Sequence, residues 1–271
     1  MALFQELNEL MVNYRFRPKK KMAQLFLVDE TIIQKIIETA DLKPEDTVLE
    51  IGAGTGFLTR ELQKKCRTIA VEMDERLFEL LQNELPKENL ELLHGNFLEL
   101  KLPKFSKVAA LPPYTISSGI MHRLFETGFE KAVLVFQKEF AERLCSEPGF
   151  KDYNALSVLT QYYCKTQIIQ KIPGKAFYPS PRSESAIIVL EWKKEKPKNT
   201  KEFTLFVKAL FRFQNKNLGN ALEKSFGFME KELGLKEKEF KEKTKKLDLH
   251  GVKVKLISPE EFVKIFKELF S

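Results

Sequence analysis

The chain has 271 residues and a mass of 31.5 kDa, with 43% hydrophobic and 31% charged residues, which suits one large or two smaller globular domains and excludes a disordered tail. Lys+Arg 45 against Asp+Glu 38 gives +7 and a pI near 9.1, a balance that favours a polyanionic partner, nucleic acid first and a membrane surface second. No apolar run approaches the roughly 18 residues that a spanning helix needs, and the acidic first ten residues lack a cleavable apolar core, so a cytoplasmic protein is expected.

Residues 14–22 carry Arg15, Arg17, Lys19, Lys20 and Lys21 and no acid, so residues 1–22 read as a basic N-terminal arm. From residue 47 the pattern alternates: strands at 47–51, 68–72, 90–93 and 107–110, with helices at 57–65 and 74–85. Helices at 117–126 and 139–145 and strands at 132–136, 167–171 and 185–192 complete an α/β body over 23–192. Strand and helix alternating at this length predict a mostly parallel sheet with helices on both faces. Residues 193–200 have no apolar side chain except one proline and read as a linker. Beyond them Phe203, Phe206, Val207, Leu210 and Phe211 recur at helical spacing, as do Leu218, Leu222 and Phe226, and Phe262, Ile265, Phe266 and Leu269. Residues 201–271 therefore form a small all-helical domain, and Ser258-Pro-Glu-Glu261 is a capping-box signature for its last helix.

Charge is segregated along this plan. Residues 193–255 hold 18 Lys/Arg against 9 Asp/Glu, and with the arm they leave the α/β body slightly acidic. The Lys236-Glu-Lys-Glu239 stretch is the exception and reads as a solvated helix face. Cys66, Cys145 and Cys164 are too scattered for a disulfide framework, and His94, His122 and His250 have no ligand spacing, so no metal site is expected.

Glu50-Ile-Gly52-Ala-Gly54-Thr-Gly56 lies between a predicted strand and a predicted helix, where glycines let the chain turn tightly and bring backbone amides close to a ligand. The Gly-x-Gly-x-Gly spacing after an acid differs from the Gly-x-Gly-x-x-Gly of nicotinamide and flavin sites. It resembles the cofactor loop of Rossmann-like S-adenosylmethionine methyltransferases. Glu72, at the end of the next strand, is placed to accept ribose hydroxyls. Ala110-Leu111-Pro112-Pro113-Tyr114, at the end of the fourth strand, stands where amino-directed methyltransferases carry Asn/Asp-x-Pro-Tyr/Phe. An adenine amine is a poor nucleophile because its lone pair is delocalised into the ring. Two acceptors for its N–H bonds and an aromatic face on the base correct that.

Five segments, in order, resemble the ribosomal RNA adenine dimethyltransferase family. Lys21-Met-Ala23-Gln24-Leu25-Phe26-Leu27 resembles its Lys-x-Gly-Gln-x-Phe-Leu motif, and Leu111-Pro-Pro-Tyr114-Thr-Ile-Ser-Ser118 its Asn-Leu-Pro-Tyr-x-Ile-Ser-Ser motif. Ala176-Phe177-Tyr-Pro179-Ser-Pro181 through Ala186 resembles its Phe-x-Pro-x-Pro block, and segments 152–158 and 211–222 also match. The resemblance implies an S-adenosylmethionine-dependent enzyme that dimethylates N6 of two adjacent adenosines in a loop near the 3′ end of small-subunit rRNA, in a pre-ribosomal particle during ribosome biogenesis; nothing in the sequence requires a dimer, so a monomer is expected. It implies cofactor contacts from Gln24, Leu25, Leu27, Glu50, Gly52, Gly54, Gly56, Glu72, Asn96 and Leu111. Target contacts fall to Leu111, Pro112, Tyr114 and Phe177, the two aromatic rings holding a base that RNA loops splay out at modest cost. Arg15, Arg17, Lys19, Lys20, Lys21, Arg212 and Lys216 would grip phosphates.

Departures from the family fall in the chemistry itself. Leu111 replaces the amine-binding Asn, Asn96 stands where an Asp accepts the cofactor's adenine amine, Gln214-Asn215 stands where two arginines are usual, and Ala23 replaces a glycine. Two readings follow: a working enzyme relying on the Pro112 carbonyl, stacking and proximity, and an RNA-binding assembly factor that has lost most catalysis. Large-subunit rRNA and DNA adenine methylases share the catalytic motif, but the helical tail and the Phe-x-Pro-x-Pro block argue against the DNA enzyme.

Overall fold

A computed structural model describes residues 2–193, 200–234, 236–246 and 251–270. Most of the expected linker and His250 lie outside the described residues. The elements in chain order are α1 (Ala2–Asn13), β1 (Phe26–Leu27), α2 (Glu30–Ala40), β2 (Thr47–Ile51), α3 (Phe57–Leu62), β3 (Arg67–Glu72), α4 (Glu75–Glu84), β4 (Leu90–His94), β5 (Lys107–Ala110), α5 (Ser117–Thr127), β6 (Lys131–Gln137), α6 (Lys138–Leu144), α7 (Ala155–Tyr163), β7 (Cys164–Ile172), β8 (Phe177–Tyr178), β9 (Ser185–Trp192), α8 (Thr200–Phe211), α9 (Leu218–Leu233), α10 (Glu237–Lys246) and α11 (Pro259–Phe270). They divide into two compact units, one of residues 1–141 with 167–192, the other of 142–166 with 193–271.

The first unit is built on a seven-stranded sheet of order β4-β3-β2-β5-β6-β9-β7. Strands β4, β3, β2, β5 and β6 pair in parallel and β9 runs antiparallel to β6 from Lys131↔Glu191 to Gln137↔Ser185. The order turns back at β2 and β5, so the ends of these two central strands diverge and open a crevice at a topological switch point. Strands β5 and β6 are apolar on both sides and buried over Val108–Ala110 and Ala132–Phe136, as a sheet covered on both faces requires. The expected α/β sheet and the helical C-terminal region are both present.

Two parts of this unit depart from the sequence expectation. Residues 1–22, expected as a basic arm, carry a helix of their own: α1 buries Leu3, Leu7 and Leu10 at helical spacing, and Phe16 packs edge-on against Phe26 at 5.8 Å between ring centres. The basic side chains Arg15, Arg17, Lys20 and Lys21 of this segment face solvent. The second departure is α2, for which no element was expected: Asp29 caps it by accepting the Thr31 N–H at 3.0 Å, and it buries Ile32, Ile33, Ile36, Ile37 and Ala40. A two-residue pairing of β1 with β8, Phe26↔Tyr178 and Leu27↔Phe177, brings two distant motifs together.

The second unit is helical and held by aromatic packing. Phe203, Phe206 and Phe262 are among its fully buried side chains, with Phe203 and Phe206 meeting Phe266 at 5.3 and 5.5 Å. Residues 142–166, expected in the α/β body, cluster here: Tyr153 donates its hydroxyl to the Ile257 carbonyl at 2.7 Å, and its ring meets Phe211. The capping box forms as expected, Ser258 N–H to Glu261 Oε2 at 2.8 Å and Glu261 N–H to Ser258 Oγ at 3.2 Å. On α10, Glu237–Lys241 and Glu239–Lys243 are paired at one-turn spacing, as the solvated-face reading requires.

The burial of α1 sets a measurable stability. Leu7→Ala, at a site with no exposure, is expected to cost about 2–5 kcal/mol in urea unfolding, whereas a detached arm would show no loss.

Candidate active site

The crevice is a cavity of about 300 Å³ in the first unit. Its walls come from the segment at 21–26, the loop after β2 (Gly52, Gly54), the end of β3 (Val71, Glu72, Met73), the loop after β4 (Gly95, Asn96, Phe97), the loop after β5 (111–116) and Phe177 of β8. The two motif groups singled out in the sequence, one for a cofactor and one for a target base, therefore share one space.

Glu72 organises the cofactor side. Its carboxylate accepts three backbone N–H bonds, from Gly54 at 2.8 Å, Met73 at 2.9 Å and Asp74 at 2.8 Å. Burial outweighs these bonds and leaves the carboxyl above the usual carboxylate range. A carboxylate offers about four lone-pair directions, so one remains for a ligand hydroxyl. Gly52 and Ala53 donate to the Val71 carbonyl at 2.8 and 3.1 Å, which ties the glycine loop to the end of β3. Gly52 has φ +77°, and a Cβ there would lie 3.2 Å from the ring of Pro113, so the loop's approach to the target motif requires glycine.

Several expected cofactor residues stand apart from this cavity. Gly56 lies against α4, where a Cβ would come within 2.8 Å of Leu81; it serves helix packing. Leu27 and Glu50 line a side chamber of about 40 Å³, bounded also by Gly52, Gly54, Leu25 and Leu111, which line both spaces. Glu50 is fully buried, and burial pushes its carboxyl up to about 8; the nearby Thr59 hydroxyl counters this only in part, since neither Glu50 Oε2 nor Thr59 Oγ1 has a hydrogen-bond partner. The negative charge of Glu72 adds to the rise.

Gln24 reaches the cavity with its side chain already engaged, its Oε1 accepting from Lys19 N–H at 2.8 Å and its Nε2 donating to Asp74 at 3.0 Å. Asn96 accepts the Leu98 N–H at 3.1 Å and donates to Glu99 at 2.8 Å, so its amide is oriented by its own loop. Ala23, at the family's glycine position, has φ +48° and ψ 36°, a left-handed conformation costing a non-glycine residue about 1 kcal/mol.

On the target side, the Tyr114 hydroxyl and Ser185 Oγ are 2.6 Å apart, which fixes the ring. Burial pushes the Tyr114 phenol up to about 12, more than the Ser185 hydrogen bond lowers it, so the group stays neutral and is no general base. Phe177 is 4% exposed yet lines the cavity, so it serves both the core and the wall. Leu111 presents only hydrocarbon to both spaces, and among the described residues no donor reaches the Pro112 carbonyl. Of the expected phosphate-binding residues, Arg15, Arg17, Lys20, Lys21, Arg212 and Lys216 are exposed, whereas Lys19 is paired with Asp74 at 2.7 Å. Sequence reasoning missed Asp74 and Ser185, which position the site residues, and the apolar wall of Met22, Phe26, Met73 and Phe97. Asp74 carried one readable signal, an acid directly ahead of a helical pattern.

Glu50 makes the fold pH-dependent. The folded chain keeps this proton where the unfolded chain, at 4.5, has lost it, so the stabilisation is complete below 4.5 and disappears as pH rises through about 8. Melting temperatures between about pH 5 and about pH 8 should fall more steeply for the native protein than for Glu50→Gln.

Among the described residues no helix is long and apolar enough to cross a membrane, and no group of three or more His, Cys, Asp or Glu side chains is placed to hold a metal. The family model described as "Ribosomal RNA adenine dimethylase" matches residues 15–270. A relative named "Probable ribosomal RNA small subunit methyltransferase A" from Thermococcus gammatolerans is 40% identical over 217 residues, 80% of this chain and 78% of its own length. The protein of the same name from Pyrococcus furiosus is 39% identical over 78% of each chain. Among solved structures, a dimethyladenosine transferase from Plasmodium falciparum has a TM-score of 0.78 at 28% identity, covering 90% of this chain and 98% of its own. The 23S rRNA methyltransferase ErmE has a TM-score of 0.66 at 27% identity over 91% of this chain and all of its own. With the glycine loop, the buried acid and the Pro-Pro-Tyr motif around one cavity and a match over nearly the whole length, this chain belongs to the ribosomal RNA adenine dimethylase family.

Proposed function

We propose that the protein transfers methyl groups from S-adenosylmethionine to N6 of two adjacent adenosines in a loop near the 3′ end of small-subunit rRNA, in the cytoplasm, as a monomer acting on a pre-ribosomal particle. The observation that carries this reading is the shared cavity, in which Gly52, Gly54, Glu72 and Asn96 face the same space as Leu111, Pro112, Tyr114 and Phe177. The residues present fit the cofactor: a buried carboxylate with a lone pair left for hydroxyls, an amide with its oxygen oriented by the Leu98 N–H, and apolar walls from Val71, Met73 and Phe97. When bound, the cofactor supplies an electrophilic methyl group.

The chain's own part is to hold the base and improve its amine as a nucleophile. Tyr114 and Phe177 supply aromatic surface for stacking, worth about 1–3 kcal/mol per base. The neutral phenol of Tyr114 is committed to Ser185, so the ring acts through its face and its position. The Pro112 carbonyl accepts one amine N–H, and the second proton's usual acceptor is missing because Leu111 has none to give. Lacking one such acceptor costs about a hundred- to a thousandfold in rate. After transfer the amine proton leaves to solvent. Arg15, Arg17, Lys20, Lys21, Arg212 and Lys216, all exposed, provide phosphate contacts that position the RNA without reading sequence.

Leu111 is also the observation that favours a second reading, an RNA-binding assembly factor with little catalysis. Calorimetric titration with S-adenosylmethionine and methyl transfer to an assembly-intermediate small subunit separate the two. The enzyme reading expects cofactor binding by the native protein, measurable transfer, and a rise of about a hundredfold in Leu111→Asn. Undetectable cofactor binding overturns the enzyme reading, and equal rates for the native protein and Leu111→Asn overturn the role given to Leu111.

A further inference from the structure

Asp74 is the most heavily engaged side chain around the cavity and does not line it. Its carboxylate is 3% exposed and accepts from four directions: Lys19 Nζ at 2.7 Å, Gln24 Nε2 at 3.0 Å and the Arg76 N–H at 3.2 Å, with the Arg76 guanidinium further off at 3.8 Å. Burial opposes its ionisation, but the bonds from Lys19, Gln24 and Arg76 together outweigh burial and hold the carboxyl below the usual range. On its other side the Asp74 N–H donates to Glu72, whose carboxylate also holds the Gly54 N–H. The hydrogen-bonded path thus runs without a break from the ammonium of Lys19 to the glycine loop.

The near end of that path is the basic segment. Gln24 closes it into a loop, its side chain accepting the Lys19 N–H at 2.8 Å and its backbone N–H reaching the Lys19 carbonyl at 3.4 Å. Directly after Lys19, residues 21–26 form one wall of the cavity. Nothing else charged in this segment is tied down: among the described residues Lys20 and Lys21 make no ion pair and are exposed. The segment's charged hold on the cavity is thus one ammonium, 41% exposed, meeting one buried carboxylate, beside the neutral Gln24 Nε2 bond to the same carboxylate.

We propose that Asp74 is a positioning residue that latches the 19–24 segment onto the cofactor cavity through Lys19, and that an RNA phosphate claiming Lys19 opens this latch, so that RNA and cofactor oppose each other's binding. The inference rests on the reading of this cavity as a cofactor site. Its use is chemical: a base that accepts two methyl groups consumes two cofactor molecules at one site, and a weakened hold on the cofactor lets the spent one leave while RNA is held by its other contacts. Linkage makes the effect reciprocal, cofactor weakening RNA by the same factor by which RNA weakens cofactor.

The test is calorimetric titration of the full chain with S-adenosylmethionine, without RNA, at about 50 mM and about 500 mM NaCl, and again with a saturating single-stranded oligoadenylate. Lys19→Met, which leaves the helix cap intact, is expected to raise the Kd roughly three- to tenfold at low salt and to remove the rise that salt or oligoadenylate causes in the native protein. Lys19→Arg restores native behaviour. Asp74→Asn, which keeps a good capping residue, reproduces the loss, and the double variant is no worse than Asp74→Asn alone. Fluorescence anisotropy checks that Lys19→Met still binds the oligonucleotide. Equal Kd values for the native protein and Lys19→Met, or an equal effect of oligoadenylate on both, overturn this inference and leave the proposed function standing. Absence of cofactor binding by the native protein overturns both.

Discussion

Three backbone N–H groups converge on the Glu72 carboxylate, and the rest of the site is arranged around that convergence. The loop after β2 must turn sharply to bring Gly54 to it, and the entry to α4 must bend to bring Met73 and Asp74. Each donor comes from a segment that has left the sheet and has no strand neighbour to satisfy it, so the carboxylate replaces the missing ladder. A buried acid with no compensation would be costly; here its bonds are the means by which two loops are held in register. The glycines follow from the same requirement. Gly52 packs against Pro113 and Gly56 against Leu81, so the loop that reaches Glu72 also sets the distance between the cofactor side and the target side.

The charged residues near the cavity divide into those that shape it and those that face outward. Burial pushes the Glu50 carboxyl up to about 8, whereas the bonds to Lys19, Gln24 and Arg76 hold Asp74 below the usual range. Two carboxyl groups of one unit thus adopt opposite states through burial, hydrogen bonding and neighbouring charge. The outward bases lie in the 15–21 segment and in the helical unit, and the slightly acidic stretch between them in the sequence contributes geometry more than attraction. Tyr114 fits the same division: its hydroxyl is used to fix its ring, and the ring is what remains for the base.

Leu111 is the point where chemistry and packing conflict. Its neighbours Leu25 and Phe26 make both adjoining spaces apolar, so a leucine is comfortable there. An amine brought to that wall would meet hydrocarbon where the family has an amide oxygen. Ala23, held at positive φ where glycine would cost less, is a local strain in the same wall. Both departures lie on the 21–26 and 111–114 segments, which meet only because β1 pairs with β8 and the loop after β5 returns to the glycine loop.

Alternating apolar runs determined the parallel strands and most of their helices, because a strand buried on both faces must be apolar whatever surrounds it. The glycine loop was legible from backbone geometry within a few residues, and Glu72 and the Pro-Pro-Tyr segment from their places at strand ends and their resemblance to methyltransferase motifs. Helices α1 and α2 carry apolar residues at helical spacing, Leu3, Leu7 and Leu10 in one and Ile32, Ile33, Ile36 and Ile37 in the other, so their period was present in the sequence although neither helix was expected. Only the tertiary structure decided that 142–166 cluster with the C-terminal helices, that Glu50 and Leu27 border a side chamber, that Ser185 anchors Tyr114, and that Lys19 is bound to Asp74. Those facts depend on pairs distant in the chain or on which face of a loop meets a void, and local preference carries no information about either.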